Sequence, residues 1–322
     1  MLAFISQFFV LWGLMNLYPI NGAALEAVAL GNDFYFTPQD AITILTEVED
    51  ELIDFSFAPK KYVPESLGVI TDAKSVLILD RKSKLVLYQK NIHIQQAIGS
   101  ITKLMCAYVF IKTNPDLDAI VEIRQEDFRS GGVEHIGLND PVKARDLLTA
   151  SLVASDNSAT AALVRLSGLD HQEFIYKMNE TAKEFGMNHT VFSDETGLSA
   201  DNRSVVGDVA KLLDNVLQEE LIRGATEMPE ASVTSESGRV YTMRATNELL
   251  YSFISQPPYH IVGGKTGYLP EAGYSLGAVF DHDQKGEIIV VALGSPTNFS
   301  RFHDVKSLAA WAYKVFLWPS ES

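Results

Sequence analysis

The segment Ala97-Ile-Gly-Ser-Ile-Thr-Lys-Leu-Met105 places a serine, Ser100, three residues before a lysine, Lys103. The apolar residues from Leu104 to Ile111 predict a helix that is buried on most sides. Residues three apart share a helical face, so the hydroxyl and the amine are predicted to meet. A serine at a helix start lies among free N–H groups that favour negative charge, and a lysine withdrawn from water loses its proton more easily. The segment thus suggests a nucleophile and its base, although alone it is better explained as an N-cap serine beside a surface lysine.

Two further motifs lie downstream of this segment, about 50 and about 160 residues after it. Ser155-Asp156-Asn157 falls between two helical patterns and by itself indicates only a polar turn or an N-cap. Lys265-Thr266-Gly267 opens a strand-like segment and is equally weak alone. It is not a P-loop, because Gly263-Gly264 do not supply the Gly-x-x-x-x-Gly-Lys frame. Any specific information must therefore come from the order and separation of the three motifs.

The rest of the chain predicts one antiparallel sheet flanked by helices. Ser75–Asp80 and Leu85–Tyr88 are apolar runs separated by polar residues, which is typical of a hairpin. Near the other end, Gly273–Phe280 and Glu287–Leu293 form a second pair around a polar turn. Helical spacing is found at 144–153, 159–166, 174–185, 205–221 and 302–316. Strands at both ends with helices between them favour an α+β fold.

In this order and at these separations, the three motifs are those of penicillin-binding proteins and class A β-lactamases. The sequence resembles the low-molecular-mass penicillin-binding proteins, the serine D-alanyl-D-alanine carboxypeptidase and endopeptidase family, from about Ala73 to Ala312. Further matching segments are Gly186-Met-Asn188, Thr196-Gly-Leu198 and Glu271-Ala-Gly273. The resemblance implies a serine β-lactamase/DD-transpeptidase-like α+β fold, with an antiparallel sheet flanked by helices and a helical subdomain.

The resemblance implies a serine-type D-Ala-D-Ala carboxypeptidase that acts on peptidoglycan stem peptides through an acyl-enzyme at Ser100, and that also binds β-lactams. Lys103, kept neutral by burial and by the charge of Lys265, would act as general base. In the second motif, the resemblance implies that Ser155 relays a proton and that Asn157 orients the substrate. In the third, Lys265 would supply electrostatic stabilisation, Thr266 would bind the carboxylate, and Gly267 would allow close approach of the substrate. The backbone N–H groups of Ser100 and Tyr268 would form the oxyanion hole.

Other activities remain open. A class A β-lactamase needs a glutamate that activates the deacylating water, and Glu195 lies in the corresponding loop, but its Thr-Gly-Leu surroundings predict a surface residue instead. The chain ends soon after the predicted catalytic domain, which keeps a DD-endopeptidase open, since single-domain members of the family include endopeptidases. An inactive wall-binding module is disfavoured because every motif residue is present. Gly273-Tyr-Ser-Leu-Gly277 matches a nucleophile elbow, but its strand pattern makes Ser275 structural.

The N-terminal part of the sequence suggests export. Residues 1–24 contain an apolar run ended by Pro19, and predict a signal peptide or membrane anchor, although no basic residue precedes Lys60. Residues 25–64 are acidic and irregular, with a short helix predicted from Thr37, and are interpreted as a linker or stalk. Residues 65–322 form the predicted catalytic domain. We expect a location in the cell envelope, in the periplasm or on the outer face of the cytoplasmic membrane, with membrane attachment through residues 1–24 as an option.

Composition excludes several classes of partner. The net charge of −15 argues against nucleic acid, which requires a basic surface. The chain has one cysteine, Cys106, so it cannot form an internal disulfide, and its apolar surroundings predict a buried, structural thiol. No cofactor or metal is expected, because the sequence has neither a His-Glu-x-x-His motif nor a cluster of cysteine and histidine residues.

Overall fold

The computed structural model describes residues 57–319. The predictions for residues 1–24, for the helix from Thr37 and for most of the segment 25–64 lie outside this range. Strands and helices are numbered here in chain order. The central antiparallel sheet has the spatial order β10 (Tyr259–Leu269), β11 (Gly273–His282), β12 (Lys285–Ser295), β2 (Ser75–Asp80), β3 (Val86–Lys90).

The sheet joins the two ends of the described chain, because β2 lies between β3 and β12. Val291 of β12 is the register partner of Leu77 on one side and of Gly277 on the other. The apolar side chains of β12 alternate between two separate cores, with Val291 in one and Val290 in the other. A continuous apolar run such as this strand is expected where both faces of a sheet are covered. The predicted α+β fold is thus confirmed.

Helices cover the two faces of the sheet unequally. The helix α7 (Asn298–Val315) packs on one face, and its buried residues share a core with those of β12 such as Val290. The other face is covered by a helical region: α1 (Thr102–Lys112), α2 (Ala144–Val153), α3 (Asn157–Leu166), α4 (His171–Glu184), α5 (Val206–Val216) and α6 (Glu220–Glu227). The central helix is α1, in which eight of eleven residues are buried.

One predicted helix is wrong in extent. The pattern over 205–221 predicts a single helix, but α5 ends at Val216 and α6 begins at Glu220. Leu217 caps α5 and is itself buried next to Gly263 of β10. The chain turns here because α6 packs along β10, so apolar spacing continues across the turn without a continuous helix.

Short pairs of strands connect other segments of the described chain outside the central sheet. They are β1 (Lys60–Lys61) with β13 (Phe316–Leu317), β4 (Gln96–Ala97) with β7 (Arg203–Ser204), β5 (Ile120–Val121) with β6 (Val142–Lys143), and β8 (Glu230–Thr234) with β9 (Val240–Arg244). The first pair shows that the segment interpreted as a linker up to residue 64 already belongs to the folded region at Lys60. Among residues 57–319, no helix has the length and apolarity required to span a membrane.

Candidate active site

The first motif lies at the junction of a 3₁₀ turn, Gly99–Ile101, and the helix α1. Lys103 is fully buried, so it is not the surface lysine that the isolated motif would suggest. Its Nζ atom lies 3.0 Å from Ser100 Oγ, 2.6 Å from Asn157 Oδ1 and 2.7 Å from the carbonyl oxygen of Thr196. These contacts hold the amine beside the serine hydroxyl, in the position that a general base needs.

Burial adjusts the proton affinity of this amine. Loss of water around Lys103 lowers its pKa to about 8, although nearby carboxylates, including those of Asp194, Asp156 and Glu195, act in the opposite direction. A lysine in this range has a neutral fraction near neutral pH, so it can accept the proton of Ser100.

The second motif forms a sharp turn at the N-terminus of the helix α3. Ser155 has a φ of +63°, which a non-glycine residue adopts only when its surroundings hold it there. Asp156 caps α3 by accepting a hydrogen bond from Ala159 N at 2.9 Å. Its other oxygen accepts from His135 N at 2.8 Å. The cap therefore fixes the strained turn that presents the Ser155 hydroxyl.

The third motif lies on β10, the edge strand of the sheet. Lys265 is buried, and its Nζ atom donates to Ser155 Oγ at 2.8 Å. Burial, and then the positive charges of Lys103 and Arg301, lower the pKa of Lys265 well below its usual value. Each buried lysine is thus hydrogen-bonded to a different serine, Lys103 to Ser100 and Lys265 to Ser155.

The predicted distribution of charge between the lysines stays a prediction. It makes Lys265 the cation that keeps Lys103 neutral. In the structure burial is the main cause of the lowered pKa of both amines, and the charge of Lys103 also lowers the pKa of Lys265. The hydrogen-bond acceptors of both amines are hydroxyl, amide or carbonyl oxygens.

Backbone contacts bring β10 against the Ser100 turn. A Cβ atom on Gly267 would lie 2.1 Å from the carbonyl oxygen of Ile98, and one on Gly99, whose φ is +53°, would lie 2.7 Å from Tyr268 N. The backbone nitrogens of Ser100 and Tyr268 therefore belong to two segments in direct contact, as an oxyanion hole requires. Gly267, predicted to admit the substrate backbone, is also needed for this contact with Ile98.

Arg301 is a site residue that sequence reasoning missed. It lies in the first turn of α7, is 7% exposed, and donates from Nη1 to the carbonyl oxygen of Gly267 at 3.0 Å. Its Nε atom is buried without a partner among the described residues. Burial lowers its pKa to about 10, so it remains a cation at neutral pH. An arginine in a terminal helix has no distinguishing sequence pattern, because only the fold brings it to β10.

Thr266 shares its strand face with Tyr268, two residues further on, and the Arg301 guanidinium lies over the ring of Tyr274, the register partner of Tyr268. The Thr266 hydroxyl lies 2.8 Å from that of Thr246, in the loop after β9. The Thr246 backbone is in turn bonded to the Val153 carbonyl at the end of α2. A hydroxyl and a guanidinium on one face form a suitable site for a carboxylate.

Comparison with known proteins agrees with this geometry. The family model of the D-alanyl-D-alanine carboxypeptidases matches residues 63–297, which is more than half of the chain. The chain belongs to the D-alanyl-D-alanine carboxypeptidase family. The predicted family and its serine hydrolase chemistry are thus confirmed.

Two proteins that this chain resembles are named D-alanyl-D-alanine endopeptidase. The one from Haemophilus influenzae is 33% identical over 238 residues, covering 73% of this chain and 80% of the relative. The one from Escherichia coli is 32% identical over 243 residues, covering 74% of this chain and 76% of the relative. In addition, a solved mutant of the Streptomyces K15 DD-transpeptidase is 25% identical with a TM-score of 0.69, covering 76% of this chain and 99% of that chain.

The position of Glu195 in this carboxypeptidase-family chain corrects the prediction of a surface residue. Glu195 is 2% exposed. One carboxylate oxygen lies 3.2 Å from Arg129 Nε, and the other lies 2.8 Å from His171 Nε2. The adjacent residue, Thr196, supplies the carbonyl that accepts from Lys103. The carboxylate is buried because these two partners compensate for its loss of water.

The loop that contains Arg129 and Gly131 contacts the second motif. The Gly131 carbonyl accepts from Asn157 Nδ2 at 2.5 Å, and Arg129 N donates to Ser158 Oγ at 3.1 Å. Since Asn157 Oδ1 also accepts from Lys103, this one amide links the loop to the base. Asn157 therefore orients Lys103, and its role toward substrate stays a prediction.

Three other predictions concern features outside the three motifs. Cys106 is a free, buried cysteine, and burial raises the pKa of its thiol well above the usual value. Ser275 is buried within β11 and is thus not on a strand-to-helix elbow. Within residues 57–319, no group of three or more acidic, histidine or cysteine side chains is placed to hold a metal ion.

Proposed function

We propose that this chain is a serine D-Ala-D-Ala carboxypeptidase acting on the stem peptides of peptidoglycan in the cell envelope. The observation that carries the proposal is the 3.0 Å contact between Lys103 Nζ and Ser100 Oγ. It joins the predicted nucleophile to a buried base whose pKa is lowered to about 8. The family match supports the same chemistry and its bacterial wall substrate.

In the proposed reaction, Ser100 Oγ attacks the carbonyl carbon of the penultimate D-alanine while Lys103 accepts the hydroxyl proton. The N–H groups of Ser100 and Tyr268 stabilise the resulting oxyanion. Ser155, hydrogen-bonded to Lys265, relays the proton that Lys103 has accepted to the leaving nitrogen, and the C–N bond breaks to release D-alanine. Water then hydrolyses the ester on Ser100 and regenerates the hydroxyl.

Arg301 and Thr266 would bind the α-carboxylate of the departing residue. This anion would also favour the charged form of Lys265, because opposite charges placed close together raise the pKa of an amine. Substrate binding would then produce the distribution predicted from sequence, with Lys265 as the cation opposite a neutral Lys103. The charge state that supports the reaction, with Lys265 charged and Lys103 neutral, would then form only when substrate is bound.

A second candidate, DD-endopeptidase, is favoured by the relatives. The two relatives described above, at 33% and 32% identity, carry that name, whereas a carboxypeptidase from Bacillus subtilis is 26% identical over 273 residues. Both reactions break a D-alanyl bond to a residue with a free α-carboxylate, so they use the same groups. A β-lactamase is less well supported, since Arg129 and His171 occupy both oxygens of Glu195.

The test is the intact mass of the purified protein during incubation with a penicillin. We expect a long-lived adduct on Ser100, and none on Ser100→Ala. Ser275→Ala is the matched control, because it removes the other candidate nucleophile and should still form the adduct. Persistent acylation of a folded Ser100→Ala variant would refute the proposal. If wild type acylates, release of D-alanine from monomeric pentapeptide is then compared with cleavage of cross-linked dimers.

A further inference from the structure

Thr246, in the loop after β9, contacts the third motif but belongs to none of the three motifs. Its hydroxyl lies 2.8 Å from that of Thr266, which is 4% exposed. The backbone of this loop is fixed on both sides of the contact. Ala245 N donates to the Pro229 carbonyl at 2.8 Å, and Thr246 N donates to the Val153 carbonyl at 3.1 Å. Thr246 is therefore held in a defined position beside Thr266.

The same loop joins the third motif to the second. Val153 is the last residue of α2 and lies two residues before Ser155. Lys265, next to Thr266 in the chain, donates directly to Ser155 Oγ. Two adjacent residues of β10 thus reach the segment of the second motif by separate routes, Lys265 directly and Thr266 through Thr246. The Thr246 hydroxyl therefore belongs to the framework between the two motifs.

The protons on the two hydroxyls decide what Thr246 can do. Each threonine hydroxyl carries one proton to donate, and its oxygen can also accept. In the structure, Thr266 donates its proton to Thr246 Oγ1. A carboxylate only accepts hydrogen bonds, so Thr266 must turn this proton toward the substrate in order to bind it. The Thr266 oxygen can then accept the proton of Thr246, and the contact persists with its direction reversed.

We propose that Thr246 is a positioning residue for the leaving carboxylate: by donating to Thr266 Oγ1, it orients the Thr266 proton toward the carboxylate of the terminal D-residue. A chain of two donors strengthens the outer hydrogen bond, because each bond polarises the next. This inference rests on the proposed function, since it assumes that Thr266 binds the carboxylate of the leaving residue. It goes further by making the preference for a free carboxylate depend on a residue outside the three motifs.

The test compares two acyl-D-Ala-D-Ala peptides, one ending in a free carboxylate and one in a carboxamide. The ratio of their kcat/KM values is the carboxylate preference. Thr246→Val keeps the shape of the side chain but cannot donate, so the preference should fall roughly two- to tenfold, as expected for one neutral hydrogen bond. Thr246→Ser restores the donor and should keep the wild-type preference. A purely structural role would lower both kcat/KM values equally and leave the preference unchanged, which would overturn the proposal.

A double variant tests whether Thr246 acts through Thr266. The carboxylate preference should already be low in Thr266→Val, and adding Thr246→Val should lower it no further, because the two hydroxyls form one unit. Independent, additive losses would contradict the proposal. Thr242→Val is the matched control, because Thr242 is exposed on β9 and its hydroxyl contacts that of Ser232 at 3.3 Å.

Penicillin labelling of Ser100 separates this inference from the proposed function. If the wild type forms the adduct and releases D-alanine, an unchanged preference in Thr246→Val overturns only the role of Thr246. If the wild type does neither, the carboxylate site loses its basis and both proposals fail. Thr246→Ala also removes the donor, and it replaces Thr246→Val if circular dichroism shows that the valine variant is unfolded.

Discussion

The Nζ atom of Lys103 lies closer to Asn157 Oδ1, at 2.6 Å, than to the hydroxyl of Ser100, at 3.0 Å. The amide of one motif therefore holds the base of another in place. An amide oxygen accepts from an ammonium group and from a neutral amine alike, so this contact can persist when Lys103 gives up its proton.

The acylation rate should rise with pH. The base must be neutral, and the pKa of Lys103 is about 8. Its neutral fraction increases from roughly a tenth at pH 7 to about nine tenths at pH 9, so the rate should rise nearly tenfold. The measurement is the second-order rate constant for penicillin acylation across this range. Lys103→Ala should lose nearly all acylation, and a wild-type rate that falls over the same interval would contradict the assignment.

Replacing Glu195 by glutamine should affect stability without lengthening the life of the acyl-enzyme. Arg129 and His171 lose a buried anionic partner, and we expect the free energy of unfolding to fall by about 1–3 kcal/mol. Chemical denaturation measures this change, with Glu180→Gln as a control that should alter stability much less, because it removes only a partly exposed ion pair with Lys183. Much slower deacylation in Glu195→Gln would instead show that Glu195 activates water.

Gly267→Ala should damage both the fold and the site. Its Cβ atom would lie 2.1 Å from the Ile98 carbonyl, so β10 and the Ser100 turn must separate. We expect a loss of about 1–3 kcal/mol in stability and slower acylation, because the oxyanion-hole segments move apart. Thermal unfolding and penicillin labelling report the two effects. The control is Gly207→Ala in α5, where an added Cβ meets no atom within 4 Å. Normal labelling of Gly267→Ala would show that the contact is not required.

Arg301→Gln should weaken substrates that carry a free terminal carboxylate. A charge-assisted hydrogen bond to a carboxylate contributes about 1.5–3 kcal/mol, so kcat/KM for D-alanine release should fall roughly ten- to a hundredfold. The same peptide as a C-terminal amide should be a poor substrate for wild type and variant equally. Lys306→Gln removes another cation from α7 and provides the control. An equal fractional loss on both peptides would mean that Arg301 is structural.

Local sequence was sufficient for the elements and motifs whose signals lie within a few residues. Ser100 and Lys103 share one helical turn, and Asp156 caps the helix that begins at Asn157, because both relations depend on near neighbours in the chain. The apolar run of β12 likewise predicted its strand. The exception, the predicted helix over 205–221, arose because apolar spacing does not show where a chain turns to cover a strand.

The sequence by itself determined the family, the α+β fold and the three motifs, since these follow from residue identity, order and periodicity. Only the tertiary structure decided which distant groups meet. It placed Arg301 at β10, buried Glu195 between Arg129 and His171, and brought Asn157 and the Thr196 carbonyl to Lys103. Burial and electrostatic interaction depend on distance in space, and residues far apart in the chain leave no local pattern that reveals it.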